Sequence, residues 1–345
     1  MDVIASIPAD TRLTDVAALA RRAESLGFDV LHVPETIRDP FGMCALALEH
    51  TSRIVVRTSM ALAFPRSPML TAYAAWELAA FSGGRFELGL ATQVRGNIVG
   101  RYSALWVDPV AQMRDYVASL RAIFVAFTEQ APLEVELEHY RFTRLQPYFN
   151  PGPIDVPAPP IYLGGVNTRM LRLAGAVADG FVCHPTSSHP VTLREHTLPV
   201  LLQAAKDAGR AVPRVVVGPK VVTSSTERGL AAEREGGRGE LAFLYSTPAY
   251  RLQLDLLGHG DVADALVAAA SRKDWQHLDG LMTDELMDEL VPHCTYADLP
   301  QVLAERYSGL CDGIVLALPA DAGEDVVLAP AVAGIKGIPK LVRSR

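Results

Sequence analysis

The chain has 345 residues, 49% of them hydrophobic and 21% charged, and a formal net charge of −7. That balance supports a large core and argues against wholesale disorder. No basic run is longer than a pair such as Arg21-Arg22, which argues against a nucleic-acid partner, and no stretch reaches the roughly 18 apolar residues of a bilayer span.

In chain order, Asp2–Ile7 is apolar and β-prone, and Pro8 stops it. A helix capped by Thr14 or Asp15 runs to Leu26 and ends at Gly27, with Val16, Leu19, Ala20 and Ala23 as its apolar stripe. Strand Asp29–Val33, helix Phe41–His50, strand Arg53–Ser59, helix Pro68–Phe81, strand Phe86–Ala91 and helix Val110–Phe127 follow. Residues 128–160 interrupt this alternation with charged, aromatic and proline-rich sequence. They read as an insertion carrying a hairpin across Leu133–Phe142. The alternation resumes with strand Pro160–Gly164, helix Thr168–Val177, strand Gly180–His184, helix Leu193–Ala208 and strand Arg214–Val222.

A second, helical insertion is expected over about 224–295. Glu233–Glu240 (EREGGRGE) reads there as an exposed loop, between helices over Pro248–Leu257, Asp261–Ser271 and Asp284–Leu290. Helix Leu299–Tyr307 then leads into an eighth strand, Asp312–Leu318, and 321–345 reads as a partly disordered tail. Eight short strands alternating with helices predict an α/β fold, a (β/α)8 TIM barrel forming one domain over 1–320. An open doubly wound sheet is the alternative. The missing G-x-G-x-x-G turn after the first strand disfavours it.

Cys44, Cys183, Cys294 and Cys311 form no CxxC pair and read as reduced, mostly buried thiols. His184 and His189 have no third ligand at metal-like spacing, so no metal is expected. No basic n-region with an apolar stretch opens the sequence, and a cytoplasmic protein is expected.

Barrel active sites lie at the carboxyl ends of the strands. That rule selects Pro8, Glu35-Thr36, Ser59-Met60, Thr92-Gln93, Gly164-Gly165 with Asn167, His184, Lys220 and Pro319. Glu35 is either a polar group at the mouth, a solvated loop carboxylate or a partner for Arg38. In Ser82–Arg95 (SGGRFELGLATQVR), Gly89 and Ala91 are small enough for a flat ring to approach, and Thr92 can donate into the pocket. Simple strand packing is the alternative. Gly164–Thr168 offers backbone N–H groups and a helix dipole to a phosphate, with Arg169 adding charge or facing outward. His184 can polarise or protonate a ligand, or serve as a structural histidine. Arg101, Tyr102 and Trp106 line a pocket or anchor their loop. Lys220 meets an anion or pairs with a surface carboxylate.

The segments AALARRAESLGFDVLHVPET, TSRIVVRTSMALAFPRSP, SGGRFELGLATQVRGNIVGRYSALW and PPIYLGGVNTRMLRLAGAVADGFVCHP, in this order, resemble the luciferase-like monooxygenase superfamily over residues 1–320. It holds FMN-dependent monooxygenases and F420-dependent dehydrogenases and reductases. The GRFELGL-x-T-Q-V-R stretch followed by R-Y-S-x-x-W is similar to an actinobacterial F420 subgroup. The resemblance implies that Ser59-Met60 forms a non-prolyl cis peptide that bulges behind the deazaflavin ring. It puts Thr92 beside the ring, Gly165, Val166 and Asn167 in the loop that holds the coenzyme phosphate, His184 against the ring system and Glu35 near its polar edge. F420-dependent sugar-phosphate dehydrogenases carry a histidine at the position of Thr36, a tryptophan at that of Pro40 and a glutamate at that of Val94. None is kept here, so sugar-phosphate oxidation is not expected. His184, Tyr102 or the substrate itself remain as proton sources.

The expectation is hydride transfer between F420 and an electron-poor C=C or C=N bond of a small molecule or modified peptide. The alternatives are an FMN-dependent monooxygenase and a catalytically silent F420- or flavin-binding protein. Similar enzymes form homodimers, although no heptad seam here specifies one.

Overall fold

The barrel strands are short, β-branched and apolar on both faces, as a wall between outer helices and a filled interior requires. The computed structural model describes residues 1–343. Among them eight parallel strands make the wall: Asp2–Ser6, Val30–Val33, Val55–Thr58, Phe86–Ala91, Ile161–Gly165, Gly180–Cys183, Arg214–Val217 and Gly313–Ala317. Each pairs with its neighbours in sequence, and the ring closes where the first meets the eighth, from Asp2↔Gly313 to Ser6↔Ala317.

Alternation along each strand separates two apolar sets. Val3, Ala5, Leu31, Val33, Val56, Leu88, Leu90, Ile161, Leu163, Phe181, Val215, Val217, Ile314 and Leu316 join the helices in the main core. Ile4, Val30, Tyr162, Val182 and Val216, with Val55, Met60 and Val315, pack together as the barrel interior. That interior also holds charge. The Arg57 guanidinium lies 3.8 Å from the centre of the Tyr162 ring, donates to Glu87 at 2.6 Å and meets His32 Nε2 at 3.0 Å. Gly180 is required here, because a Cβ would lie 2.0 Å from the Tyr162 ring.

Between the third and fourth strands the register slips by one residue. Arg57 pairs with Glu87, but Ala61, in the two-residue extension Ala61–Leu62, pairs with Leu90. The extra residue is a bulge at Ser59-Met60. The buried Thr58 hydroxyl bridges the gap, accepting from Gly89 N at 2.9 Å and donating to Gly89 O at 2.8 Å.

Several expectations need correction. Glu233–Glu240 is not a loop: one helix runs unbroken over Glu227–Tyr245. Each glycine costs a helix about 1 kcal/mol, but the buried stripe Leu230, Gly237, Leu241, Ala242 and Tyr245 and the pairing of Arg234 and Arg238 with Asp284 and Asp288 hold it. The segment after 320 is not a loose tail through Arg343. Asp325–Lys336 is the helix that follows the eighth strand, burying Leu328, Ala331, Val332 and Ile335. Arg22 grips Asp325, and Arg343 grips Asp312. The residues 344–345 of the expected tail lie outside the described residues. The expected strand Arg214–Val222 splits after Val217 at Gly218-Pro219. Val222–Ser224 pairs instead with His293–Thr295 in a small parallel sheet. The hairpin of the first insertion forms, with Val135–Glu136 against Arg141–Phe142. The helical insertion has its own apolar cluster around Leu241, Tyr245, Leu254, Leu266, Met282 and Leu286. No helix among the described residues is long and apolar enough to cross a membrane.

Candidate active site

The carboxyl ends of the eight strands form the mouth, and its floor begins at the bulge. The Ser59–Met60 peptide is cis. The Met60 side chain rests against two glycines: a Cβ on Gly164 would lie 3.0 Å from Met60 Cγ, and one on Gly89 would lie 3.1 Å from the Met60 methyl and 2.0 Å from the Thr58 carbonyl oxygen. The space left by Gly89 is therefore filled by the bulge. The outcome is an apolar platform made by Met60 across the third, fourth and fifth strands.

Glu35 stands beside the platform, but neither as a solvated carboxylate nor as a partner of Arg38. Its side chain is 6% exposed. Its oxygens accept from Leu62 N at 2.8 Å and from Arg66 Nη1 at 2.7 and 2.8 Å, while Arg66 Nη2 reaches Asp39 at 2.7 Å. Thr36 donates to Ala9 O at 3.1 Å and its own carbonyl accepts from Arg101, so the loops after the first, second and fourth strands are laced together. Thr92 turns its hydroxyl onto Gln93 O at 3.0 Å, next to Gln93 in a left-handed conformation at φ 60.

Across the mouth, Gly165 is needed because a Cβ would lie 2.4 Å from Met170 Cγ. Val166 follows it in the loop, and Asn167 caps helix Thr168–Val177, its oxygen accepting from Met170 N at 2.9 Å. Thr168 and Arg169 keep first-turn N–H groups that no acceptor among the described residues takes up. Arg169 adds no charge to this terminus, since its guanidinium is held by Asp108 at 3.0 Å. Lys220 chooses the surface carboxylate, pairing with Glu240 at 2.8 Å.

His184 is the most constrained mouth residue. Its Nδ1 accepts from the backbone N–H of Thr186 at 3.3 Å and lies 2.8 Å from Thr186 Oγ1. A peptide N–H can only donate, so Nδ1 is the acceptor and Nε2 carries the proton in the neutral ring. Burial pushes the imidazole down to about 4, against a weaker upward pull from Glu240. At neutral pH it is an uncharged donor with Nε2 unclaimed by any described residue. Its ring lies under that of Tyr250, with centroids 4.4 Å apart and planes at 30°.

The remaining candidate, Tyr102, is half-buried in the loop after the fourth strand, with Arg101 5.0 Å over its ring. Nothing among the contacts brings it to His184. Trp106 anchors that loop edge-on against Phe64 at 5.7 Å. Sequence reasoning missed Arg66, Tyr250 and the Arg57 cluster. Arg66 had a readable signal, as a lone cation just beyond the third strand and facing Glu35. Tyr250 had none, because it lies in the irregular helical stretch far along the chain.

Eight parallel strands thus close a (β/α)8 barrel with the Ser59–Met60 bulge on its third strand and the neutral His184 ring at its carboxyl-end mouth. The chain belongs to the luciferase-like monooxygenase family, whose model matches residues 2–310. It is 35% identical over 312 residues to the uncharacterized protein Rv1360 of Mycobacterium tuberculosis, covering 90% of this chain and 91% of the relative. It is 25% identical over 285 residues to the 5,10-methylenetetrahydromethanopterin reductase of Methanolobus tindarius, covering 82% and 83%. Among solved structures, the coenzyme F420-dependent tetrahydromethanopterin reductase of Methanopyrus kandleri superposes with a TM-score of 0.76 at 19% identity, covering 96% of this chain and 97% of that one. The oxygenating constituent of 3,6-diketocamphane monooxygenase from Pseudomonas putida, in complex with FMN, does so at 0.65 with 14% identity, covering 100% of both chains. Relatives in this fold thus take either F420 or FMN.

Proposed function

We propose that the protein is an F420-dependent oxidoreductase that reduces an electron-poor C=C or C=N bond, such as that of an enone, an imine or a dehydroamino acid, in a small molecule or modified peptide. The observation that carries the reading is the pairing of the Met60 platform with a neutral, single-tautomer His184 donor at a mouth where the sheltered carboxylate of Glu35 is already committed to Arg66. Such a mouth is poor in free acid and base, so the reactive chemistry must arrive with a bound group. Reduced F420, when bound, would supply the hydride, and a proton taken up from solvent water would complete the reduction of the C=C or C=N bond.

The donor set fits that coenzyme. The first-turn N–H groups of Thr168 and Arg169, beside Gly165, Val166 and Asn167, suit its phosphate. Met60 and Ser59 offer a backing for a planar ring, with Thr92 at the adjoining strand end. His184 would donate a hydrogen bond from Nε2 to the ring or to the acceptor, polarising it without giving up a proton, because an imidazole held this far below its ordinary range is not protonated at neutral pH. Glu35 acts through Arg66 and Leu62 N as a positioning residue that fixes the bulge from its far side. The kinship with a methylenetetrahydromethanopterin reductase supports the reductive direction.

FMN is the competing occupant, since the fold is shared with a monooxygenase solved with FMN. The deciding experiment is a titration of the purified protein with F420 and, separately, with FMN, followed by tryptophan fluorescence. Submicromolar F420 binding with weak FMN binding, then turnover of reduced F420 with an activated alkene or imine, is the expected result. Preference for FMN with oxygen uptake would overturn it. Binding of F420 with no turnover on any acceptor would mark a coenzyme carrier instead.

A further inference from the structure

His184 is held from almost every side. Its backbone carbonyl accepts from Ser187 Oγ at 3.1 Å and Ser188 Oγ at 3.0 Å, and Ser188 Oγ in turn accepts from Gly218 N at 3.0 Å. Nδ1 is fixed by Thr186. One face of the ring is covered by Tyr250, from the short 3-10 turn Pro248–Tyr250 that belongs to the helical segment after the seventh strand. That turn is fastened to the same loop a few residues on. The Gln253 side chain, 3% exposed, accepts from His189 N at 3.0 Å and donates to the buried Tyr245 hydroxyl. Two separate links, a ring stack and a buried amide, therefore join the helical segment to the loop that carries His184.

We propose that Tyr250 is a positioning residue, and that the 248–253 turn is a clip which holds the His184 ring in one orientation and one tautomer with Nε2–H left unclaimed. A stack 4.4 Å from the ring prevents it from turning over, and only a ring that has not turned over keeps Nδ1 in line with the Thr186 N–H. The same cover keeps water off the imidazole. The charged group acting on it is Glu240, on helix Glu227–Tyr245, whose carboxylate Lys220 neutralises at 2.8 Å; neither hydrogen-bonds the ring. The Tyr250 hydroxyl makes no hydrogen bond among the described residues, so the ring face and not the hydroxyl does the holding. The proposal builds on the reading that His184 serves the ligand, but the NMR arm of its test does not depend on that reading.

The test uses the full chain without coenzyme, labelled with ¹⁵N-histidine and followed by NMR from pH 4.5 to 8. His184→Asn assigns the His184 signals among the nine histidines. In the wild type the ring keeps the Nε2–H pattern through neutral pH. In Tyr250→Phe, which retains the stack, it does the same. In Tyr250→Leu the ring averages between tautomers and titrates closer to the ordinary histidine range, and affinity for F420 falls roughly tenfold, the equivalent of one lost hydrogen bond. Gln253→Ala leaves the Tyr250 ring in place and cuts the tether, and it gives the same change in smaller measure if Tyr250→Leu does not fold. His184 signals that stay at the wild-type tautomer and titration in whichever of these variants folds would overturn the proposal. Loss of F420 binding by the wild type would sink the functional reading while leaving the NMR result standing.

Discussion

Arg66 Nη1 lies 2.8 and 2.7 Å from the two carboxylate oxygens of Glu35, and the other end of the same guanidinium reaches Asp39 at 2.7 Å. Arg66 thereby ties the loop after the third strand to the one after the second. Breaking one partner of a buried pair leaves an uncompensated charge, which costs about 3–5 kcal/mol. Arg66→Met should therefore destabilise the protein by about 3 kcal/mol in urea unfolding, whereas the double variant Arg66→Met/Glu35→Leu should recover most of the loss. A single variant as stable as the wild type would show that the pair holds nothing.

The barrel interior makes a parallel case. Arg57 is the only cation contacting Glu87 and His32 among the described residues, and burial together with Arg57 drives His32 well below its ordinary range. Arg57→Met should cost about 3 kcal/mol by the same reasoning. Because the guanidinium also covers the Tyr162 ring, near-ultraviolet circular dichroism should change with it. An unchanged spectrum and urea midpoint would contradict the arrangement.

The pH dependence of stability has a defined sign. His184 titrates at about 4 when folded against an ordinary 6.5, so the unfolded chain takes up its proton first as pH falls. Stability is then complete above 6.5 and declines as pH drops through the window towards 4, by at most about 1.4 kcal/mol per pH unit. His184→Asn removes that share while His32, which acts in the same direction, remains. Urea midpoints measured from pH 7.5 to 4.5 should fall less steeply in the variant. Parallel profiles would mean that His184 is not buried as a neutral ring.

Two glycines under Met60 should respond differently to alanine. At Gly89 the new methyl meets a backbone oxygen at 2.0 Å and nothing there can yield. At Gly164 it meets only the flexible Met60 side chain, at 3.0 Å and beyond. Gly89→Ala is expected to be severely destabilised or insoluble. Gly164→Ala should fold with a loss of about 1–3 kcal/mol, typical of overpacking, and Met60→Ala in the same chain should restore part of it. Thermal melts of the three variants decide the matter.

Much of the barrel was legible because its strands are apolar runs punctuated by Gly and Pro and several of its helices carry 3.6-residue stripes, as at Val16–Ser25 and Thr168–Val177. The fates of Glu233–Glu240 and of the segment after 320 were not. Local composition favours a break in both, and only tertiary partners, Asp284 and Asp288 for one and Arg22 for the other, decide for helix. At the mouth, strand-end logic found Glu35, Ser59-Met60 and His184, while the bulge itself was an implication of the family resemblance. It did not find who holds them: the signal of Arg66 beyond the third strand went unread, and Tyr250 and Thr186 act through geometry that no spacing encodes.

Closure of the ring between Asp2 and Gly313 has a consequence for biosynthesis. The first strand soon acquires the second as a neighbour, but its other edge has no partner until the eighth strand is translated. At about 5–20 residues per second that delay is roughly 15–60 s. Throughout it, a row of unpaired peptide groups on an apolar strand is open to other nascent chains. Yield in a heterologous host should accordingly depend on chaperone supply and slow expression at low temperature more than on any property of the finished barrel.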